Sequence, residues 1–247
     1  MLALHHIGVR FGGLVALDDV SLRVAPGRTV GVIGPNGAGK TTLFNVVCGF
    51  VTPTDGSLTL DDRPFKPRPQ LLTRRGIART LQGVGQFAGM TVEENVMTGA
   101  EHRARAAFAT ALFGLPRERR DERELRDAAH AALERCGVAE HAQANPQGLP
   151  YAVRKRVALA RALVSEPRLL LLDEPAGGLG ADETADLAAL ITDTGAAVLL
   201  VEHHMDLVMN VCDEILVLDF GKPIAHGSPA EIQKNPAVAD AYLGAPA

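Results

Sequence analysis

Residues 34–42, Gly-Pro-Asn-Gly-Ala-Gly-Lys-Thr-Thr, decide the fold of this chain. They follow a short apolar run, Val30–Ile33, and lead into a second apolar stretch that begins at Leu43. The order is strand, glycine loop, helix. The stretch fits the pattern Gly-x-x-x-x-Gly-Lys-(Ser/Thr), in which backbone N–H groups and the positive end of the following helix face a phosphate group. The sequence therefore predicts a nucleotide phosphate site at the start of a helix.

Positions within this loop have separate predicted roles. Lys40 is expected to reach the β- and γ-phosphates with its ammonium group, and the Thr41 hydroxyl to coordinate Mg²⁺. The other predicted nucleotide-binding positions of the loop are Gly34, Asn36, Gly37, Ala38, Gly39 and Thr42. An ordinary glycine-rich turn is the alternative, but the pattern should arise by chance in only roughly a few per thousand chains of this length.

The composition is typical of a soluble globular protein. Of 247 residues, 47% are hydrophobic and 22% charged, and one α/β domain with an insertion is expected at this length. Apolar stretches such as Ala196–Val201 are too short to cross a bilayer, and no secretion signal is recognised, so a cytosolic location is expected. A net charge of −4 argues against a nucleic-acid partner. Cys48, Cys136 and Cys212 lack metal-ligand spacing and are expected to be buried.

Two further apolar runs end in polar residues. Leu169–Leu172 precedes Asp173 and Glu174, and Ala197–Val201 leads through one residue to His203. Continuous apolar strands are typical of parallel sheets that are buried on both faces. Because ligands bind beyond the carboxyl ends of such strands, we expect these polar side chains to lie near the phosphate loop.

The remaining pattern predicts strands at both ends of the chain and helices between them. Leu14–Val24 and Ser57–Leu60 are expected strands, and residues from 100 onward have apolar positions at helical spacing. Ile215–Leu218 and Pro223–Ala225 indicate a terminal hairpin. Residues 229–243 are predicted to form one amphipathic helix.

The order of these motifs resembles that of the nucleotide-binding subunit of ABC transporters, across nearly the whole chain. The positions that match the family's aromatic loop, phosphate loop, glutamine loop, acidic strand and histidine switch are Phe11, 34–42, Gln82, Leu169–Glu174 and His203. The resemblance implies an α/β fold: a P-loop NTPase core of the RecA type with a parallel sheet, an N-terminal antiparallel β part and an inserted α-helical subdomain.

The resemblance also implies how the chain is divided. Residues 1–247 would form a single nucleotide-binding domain, in which 1–99 and 164–226 are the catalytic core. Residues 100–163 would be the helical subdomain and 227–247 the C-terminal helix.

An ATP hydrolase is implied, with ATP and Mg²⁺ as its ligands. In the family's roles, Phe11 stacks on adenine and Gln82 links Mg²⁺ to the membrane partner. Asp173 holds Mg²⁺ through water, and His203 contacts the γ-phosphate. Glu174 polarises the attacking water, mainly by orienting it. With Lys40, Glu174 and His203 are the expected catalytic residues.

Three stretches, 11–17, 75–80 and 201–205, look like the ATPases of high-affinity branched-chain amino-acid importers. That similarity implies a peripheral location on the cytoplasmic face of the cell membrane, with a second ATPase subunit and membrane permease subunits as partners. ATPases of lipid and lipopolysaccharide exporters look similar and stay open as an alternative, although 78–80 favours import. Two others are a soluble ATPase without a membrane partner and an ATP-binding subunit that does not hydrolyse.

One motif departs from the family. Where the family has a signature resembling Leu-Ser-Gly-Gly-Gln, this chain has Leu149, Pro150, Tyr151, Ala152 and Val153. In the family this segment caps the nucleotide of the other subunit with a hydroxyl, close backbone N–H groups and a helix N-terminus. Proline lacks the hydroxyl, although it suits a first helical position, and alanine adds a methyl group where close approach favours glycine. We therefore expect a weak signature and favour a heterodimer over a homodimer.

Other expectations concern the surroundings of this motif. Arg154, Lys155 and Arg156 either supply charge in place of the missing signature groups or form a solvated basic face, which is favoured. Gly180 stands where the family usually has Asp or Asn. In the stretch 82–94, where the resemblance places the membrane subunit, the residues Phe87, Met90 and Val92 are expected either to contact that subunit or to be buried.

Overall fold

The computed structural model of the protein describes residues 1–80, 84–103 and 116–243. Its strands are β1 Leu2–Phe11, β2 Leu14–Val24, β3 Thr29–Ile33, β4 Asp55–Leu60, β5 Arg63–Phe65, β6 Ile77–Arg79, β7 Leu169–Asp173, β8 Ala197–Val201, β9 Glu214–Asp219 and β10 Lys222–Gly227. Its helices are α1 Lys40–Cys48, α2 Val92–Met97, α3 Pro116–Arg135, α4 Tyr151–Leu163, α5 Ala181–Thr192, α6 Met205–Val211, α7 Pro229–Gln233 and α8 Pro236–Leu243. Among the described helices, none combines the length and the apolar character needed to cross a bilayer.

The larger sheet has the strand order β10-β9-β3-β8-β7-β6. All neighbours in it are parallel except β10, which pairs antiparallel with β9. Val201 pairs with Val32 on one side and with Asp173 on the other, so β3, β8 and β7 end side by side. The predicted α/β core with a parallel sheet is confirmed.

The smaller sheet has the order β2-β1-β4-β5, and every pair in it is antiparallel. It confirms the predicted N-terminal antiparallel part, including a strand at Leu14–Val24. The strand predicted at Ser57–Leu60 is also present and begins two residues earlier, at Asp55.

The central strands are buried on both faces. In β7, Leu169 and Leu171 belong to one apolar core, and Leu170 and Leu172 belong to the other. Successive side chains of a strand point to opposite faces, so a strand covered on both sides needs apolar residues at every position. This double burial explains the continuous apolar run that the sequence shows before Asp173.

Helix α1 lies in the core that the two sheets share. Leu43, Phe44 and Val47 are buried there together with Leu4 of β1 and Leu171 of β7. This packing holds the start of α1, and with it the phosphate loop, against the carboxyl edge of the larger sheet.

Helices α2, α3 and α4 form a separate group whose side chains meet in the second core, through Val96, Leu133 and Val157. The predicted helical insertion is therefore present, and α2, which precedes residue 100, packs with it. Thr91 begins α2 with a capping box, because its hydroxyl accepts from the Glu94 N–H and the Glu94 carboxylate accepts from the Thr91 N–H. The domain boundaries themselves stay a prediction.

The C-terminal region confirms one expectation and corrects another. The predicted hairpin is formed by β9 and β10. The single helix predicted over 229–243 is wrong, because α7 ends at Gln233 and α8 begins at Pro236. Proline has no N–H to continue the first helix and disfavours a helical conformation at Asn235. The Asn235 side chain instead accepts from the Ala237 N–H at 3.0 Å, starting a new helix.

The three cysteines are buried free thiols, as predicted. Burial raises the pKa of Cys48 to about 11 and the pKa values of Cys136 and Cys212 to about 12. We predict that a thiol reagent at about pH 8 leaves the native protein unmodified, because thiolate is the reactive form. Three equivalents should react after denaturation, and titration of the native protein with the same reagent tests this.

Replacing Phe44 with Ala should lower the free energy of unfolding by about 3–5 kcal/mol, because the ring is fully buried between the sheets. Denaturant unfolding measures the change. Phe87→Ala is the matched control, since Phe87 is mostly exposed, and its effect should stay below about 1 kcal/mol. Equal losses in both variants would contradict the packing described here.

Candidate functional site

The phosphate loop connects β3 to α1, and glycine is required at its different positions for different structural reasons. A Cβ atom on Gly34 would lie 2.1 Å from the carbonyl oxygen of Leu218, and one on Gly39 would lie 2.7 Å from the carbonyl oxygen of Ala16. Gly37 has a φ of 83°, but no described atom lies within 4 Å of its Cβ position. Packing therefore requires the first two glycines, and backbone conformation favours the third, whose outer side is open.

Lys40 lies across this loop. Its Nζ donates to the carbonyl oxygens of Gly34 at 2.6 Å and Pro35 at 2.8 Å. Burial lowers the pKa of Lys40, and the negative charge of Glu174 partly offsets that effect. Within the described part of the chain, no side chain caps α1 at Gly39, so the first N–H groups of the helix are suited to bind an anion.

Two neighbours of the loop were missed by sequence reasoning. The turn between β9 and β10 supports it, since the Gly221 N–H donates to the Ala38 carbonyl at 3.1 Å. Helix α8 also contacts the phosphate loop, through a hydrogen bond between Tyr242 and the Gly34 backbone. Burial raises the pKa of Tyr242, and this hydrogen bond partly offsets the rise. The pairing of β9 with β3 brings the turn to the loop. Neither this pairing nor the contact of Tyr242 has a local signal in the sequence.

The acidic strand ends at the same edge. Asp173 is the last residue of β7 and is only 6% exposed. Burial raises its pKa, the charges of Glu174 and Glu202 raise it further, and Arg79 and Lys155 oppose the rise. A buried carboxylate with an unfavourable negative charge is a group that a cation would stabilise.

Glu174 follows in a left-handed backbone conformation, with a φ of 47°. Such a conformation costs a non-glycine residue of order 1–3 kcal/mol and is enriched at functional sites. Its backbone is held on both sides: its N–H donates to the Val201 carbonyl at 2.8 Å, and its carbonyl accepts from Lys155 Nζ at 3.0 Å.

His203 lies next to Glu174. Its Nδ1 is 3.6 Å from Oε1 of Glu174, and the two side chains are 50% and 35% exposed. The structure thus brings together three of the predicted residues, since the charge of Glu174 also acts on Lys40. A carboxylate beside a histidine and a lysine at the phosphate loop is an arrangement that could orient a water toward a bound phosphate.

Glu202, the residue between Val201 and His203, has no predicted role, and the structure shows that its carboxylate contacts the backbone of this site. Its side chain is fully buried. Oε2 accepts from the N–H groups of His203 at 2.6 Å and His204 at 3.0 Å, and Oε1 accepts from the Ala176 N–H at 2.9 Å. Burial alone would raise the pKa of Glu202, but these backbone hydrogen bonds outweigh it and the net pKa is lowered.

The solvated basic face predicted at 154–156 is wrong. Arg154 Nε donates to the Gln86 side chain at 3.2 Å, Arg156 pairs with Asp186, and Lys155 contacts the Glu174 carbonyl. The sequence could not show this, because the partners come from three distant segments that the fold brings to α4.

The signature segment leads into α4, with Pro150 at the cap position and not at the first helical position. Pro150 occupies the cap position with a φ of −52°, one residue before the first helical residue, and no described side chain caps the helix there. The Tyr151 ring packs against the loop after the acidic strand, since a Cβ on Gly178 would lie 3.0 Å from its Cε1. Leu149 and Val153 are half-buried against the helical core, and the signature role of Leu149, Ala152 and Val153 stays a prediction.

The remaining predicted residues have different outcomes. Phe11 is 51% exposed at the tip of the β1–β2 hairpin, so its ring is accessible. Gln82 lies outside the described residues. Phe87 and Met90 are exposed, whereas Val92 is fully buried in the helical core and does not contribute to a surface.

Residues 17–177 match the ABC transporter family, and residues 222–247 match a family described as branched-chain amino acid ATP-binding cassette transporter. The chain belongs to the ABC transporter family. The predicted resemblance is therefore confirmed. Members of this family bind nucleotide and hydrolyse ATP, and their cassettes work as dimers with membrane permease partners.

Relatives cover nearly the whole chain. LivG of Salmonella typhimurium, a high-affinity branched-chain amino acid transport ATP-binding protein, is 42% identical over 99% of this chain and 98% of its own. BraF of Pseudomonas aeruginosa, with the same description, is 42% identical over 96% and 94%. LptB of Escherichia coli, the ATP-binding protein of a lipopolysaccharide export system, is 33% identical over 95% and 93%. The sequence is thus more similar to the amino-acid transport subunits.

Solved structures support the same conclusion. A nucleotide-free ATP-binding cassette from an ABC transporter has a TM-score of 0.86 at 28% identity, and the match covers 99% of both chains. The ADP conformation of an ATP-binding cassette of an ABC transporter has a TM-score of 0.85 at 30% identity, again over 99% of both. The α/β cassette fold is confirmed.

The two kinds of glycine in the phosphate loop give a prediction. Gly34→Ala should lower the unfolding midpoint strongly, because its methyl group would overlap the Leu218 carbonyl. Gly37→Ala should lower the free energy of unfolding by only about 1–2 kcal/mol, because alanine disfavours the left-handed backbone conformation. Both variants should bind ATP more weakly. Thermal unfolding with and without nucleotide separates these effects, and a Gly37→Ala protein as unstable as Gly34→Ala would contradict the assignment.

Proposed function

We propose that this chain hydrolyses Mg·ATP to power the import of branched-chain amino acids through membrane permease subunits. One observation carries the hydrolytic part: three parallel strands end side by side and bring Lys40, Asp173, Glu174 and His203 to one edge. Identity of 42% to LivG and BraF over nearly the full chain supports the choice of solute.

The residues divide the work of hydrolysis among them. The N-terminus of α1 and Lys40 bind the β- and γ-phosphates, and Phe11 stacks on adenine. Glu174 accepts a hydrogen bond from the attacking water and orients it in line with the γ-phosphorus. His203 holds the γ-phosphate and the water from the other side.

Thr41 and Asp173 would hold Mg²⁺, together with Gln82. The donor set fits, because Asp173 is a buried carboxylate whose pKa is raised by burial and by like charges. When bound, Mg²⁺ supplies positive charge to the phosphate oxygens.

A groove between the core and the helical group is the proposed contact for the permease. It is lined by Phe50, Arg79, Phe87, Thr98 and Arg161, among others. The Arg79 guanidinium lies over the Phe50 ring at 5.0 Å, and Arg161 donates to the Gly85 carbonyl at 2.7 Å. A groove lined by both apolar side chains and arginines that are held in place suits a short helix of a membrane subunit at the cytoplasmic face.

Reconstitution tests the proposed solute. Proteoliposomes that hold this chain with its permease and its second cassette should accumulate labelled leucine, isoleucine or valine when Mg·ATP is supplied on the cassette side. Lys40→Ala should reduce uptake by about a hundredfold or more, since it removes the charge that binds the phosphates. ATP-driven release of lipopolysaccharide without amino-acid uptake would contradict the import assignment and favour an exporter.

We also propose that the chain acts in a heterodimer. Pro150, at the cap position of α4, has no hydroxyl to offer to a nucleotide on the opposite subunit. Gly180, at the start of α5, donates its N–H to the Glu183 carboxylate at 2.8 Å and has no side chain to offer to a dimer contact. Both features weaken the half-site that this chain presents to its partner, while its own phosphate loop is intact.

The solution mass of the Glu174→Gln protein tests this pairing, since blocked hydrolysis should trap any competent closed dimer. We predict a monomer both with and without Mg·ATP, with ATP binding verified by a fluorescent analogue. Adding a second cassette with an intact signature should convert it to a dimer. A dimer of this chain alone on adding Mg·ATP would show that 149–153 works as a signature.

A further inference from the structure

We infer that Glu202 is a positioning residue: its buried carboxylate clamps the loop that follows Glu174 to the loop that carries His203, so that the two groups keep one relative geometry. The inference rests on the proposed function for what those groups do, and on geometry alone for the clamp itself.

The clamp joins the ends of two neighbouring strands. Oε1 accepts from Ala176, two residues beyond Glu174, while Oε2 accepts from the backbone of His203 and His204. Oε2 also lies 3.1 Å from Nδ1 of His204. A single rigid carboxylate thus fixes the backbone on both sides of the Glu174–His203 pair.

The burial of Glu202 makes the loss of any of these hydrogen bonds costly. Its side chain is 0% exposed, so water cannot replace a partner that is lost. A buried carboxylate left without donors is costly, and buried N–H groups left without an acceptor are costly as well. Glu202 therefore links the two loops through hydrogen bonds that are costly to break.

Both oxygens accept from N–H groups, which makes a glutamine an unsuitable replacement. An amide of the same volume has only one acceptor oxygen, and its NH₂ group would face either the Ala176 N–H or the two histidine N–H groups. Glu202→Gln therefore breaks one arm of the clamp without leaving a cavity, whereas Glu202→Ala removes both arms.

Hydrogen exchange on the full chain tests the clamp directly. In Glu202→Ala, the amides of Ala176, His203 and His204 should exchange at least about tenfold faster than in the wild type, with both segments affected. Asp213→Asn is the matched control, because the Asp213 carboxylate also accepts a backbone N–H, that of Thr29, but at the opposite edge of the sheet. Unchanged exchange at Ala176 in Glu202→Ala would overturn the inference.

Turnover of the assembled transporter tests what the clamp does, and the Gln variant covers the case in which Ala prevents folding. Glu202→Gln should lower turnover by about tenfold or more while the dissociation constant for ATP changes by less than about threefold. Because Glu202 acts through the Glu174–His203 pair, the loss of turnover in the double variant Glu202→Gln/His203→Ala should be smaller than the product of the two single losses. Multiplied losses, or wild-type turnover in Glu202→Gln, would contradict the positioning role.

A failure of the proposed function can be distinguished from a failure of the clamp. If His203→Ala and Glu174→Gln both hydrolyse ATP like the wild type, the proposed residues for hydrolysis are wrong. Hydrogen exchange would still decide whether Glu202 holds the two loops together.

Discussion

The alignment of the parallel strands is the constraint on which the rest of the structure depends. Each central strand is apolar on both faces, and hydrogen bonding between neighbours fixes where each one ends. The apolar runs of β3, β7 and β8 stop at the same edge, and polar residues follow them there. The site is therefore a consequence of how the sheet is packed.

Two buried carboxylates at this edge show how the same chemistry serves different purposes. Glu202 has hydrogen-bond donors on both oxygens, and its pKa is lowered. Asp173 is nearly as buried, but its pKa is raised by burial and by the charges of Glu174 and Glu202, against the opposing effect of Arg79 and Lys155. The first is suited to fix backbone geometry, and the second is suited to take a cation.

Much of this could be predicted from the sequence, and the omissions have a physical cause. The phosphate loop, the acidic strand and the central strands β3, β7 and β8 follow from local patterns of glycine, charge and apolar runs. The contacts of Lys155, Glu202 and Tyr242 do not, because each joins segments that are far apart in sequence. The single C-terminal helix was predicted wrongly because the amphipathic pattern continues across Pro236, whereas the proline backbone cannot continue a helix.

Hydrolysis by the assembled transporter in which only this chain carries Glu174→Gln tests the central claim most directly. Single-turnover cleavage of ATP bound to this chain should fall by about a hundredfold or more, because the oriented carboxylate is lost. Binding of ATP should change little, since Lys40 and the N-terminus of α1 are intact. Cleavage at the wild-type rate would contradict the assignment of Glu174 and the account of this edge of the sheet.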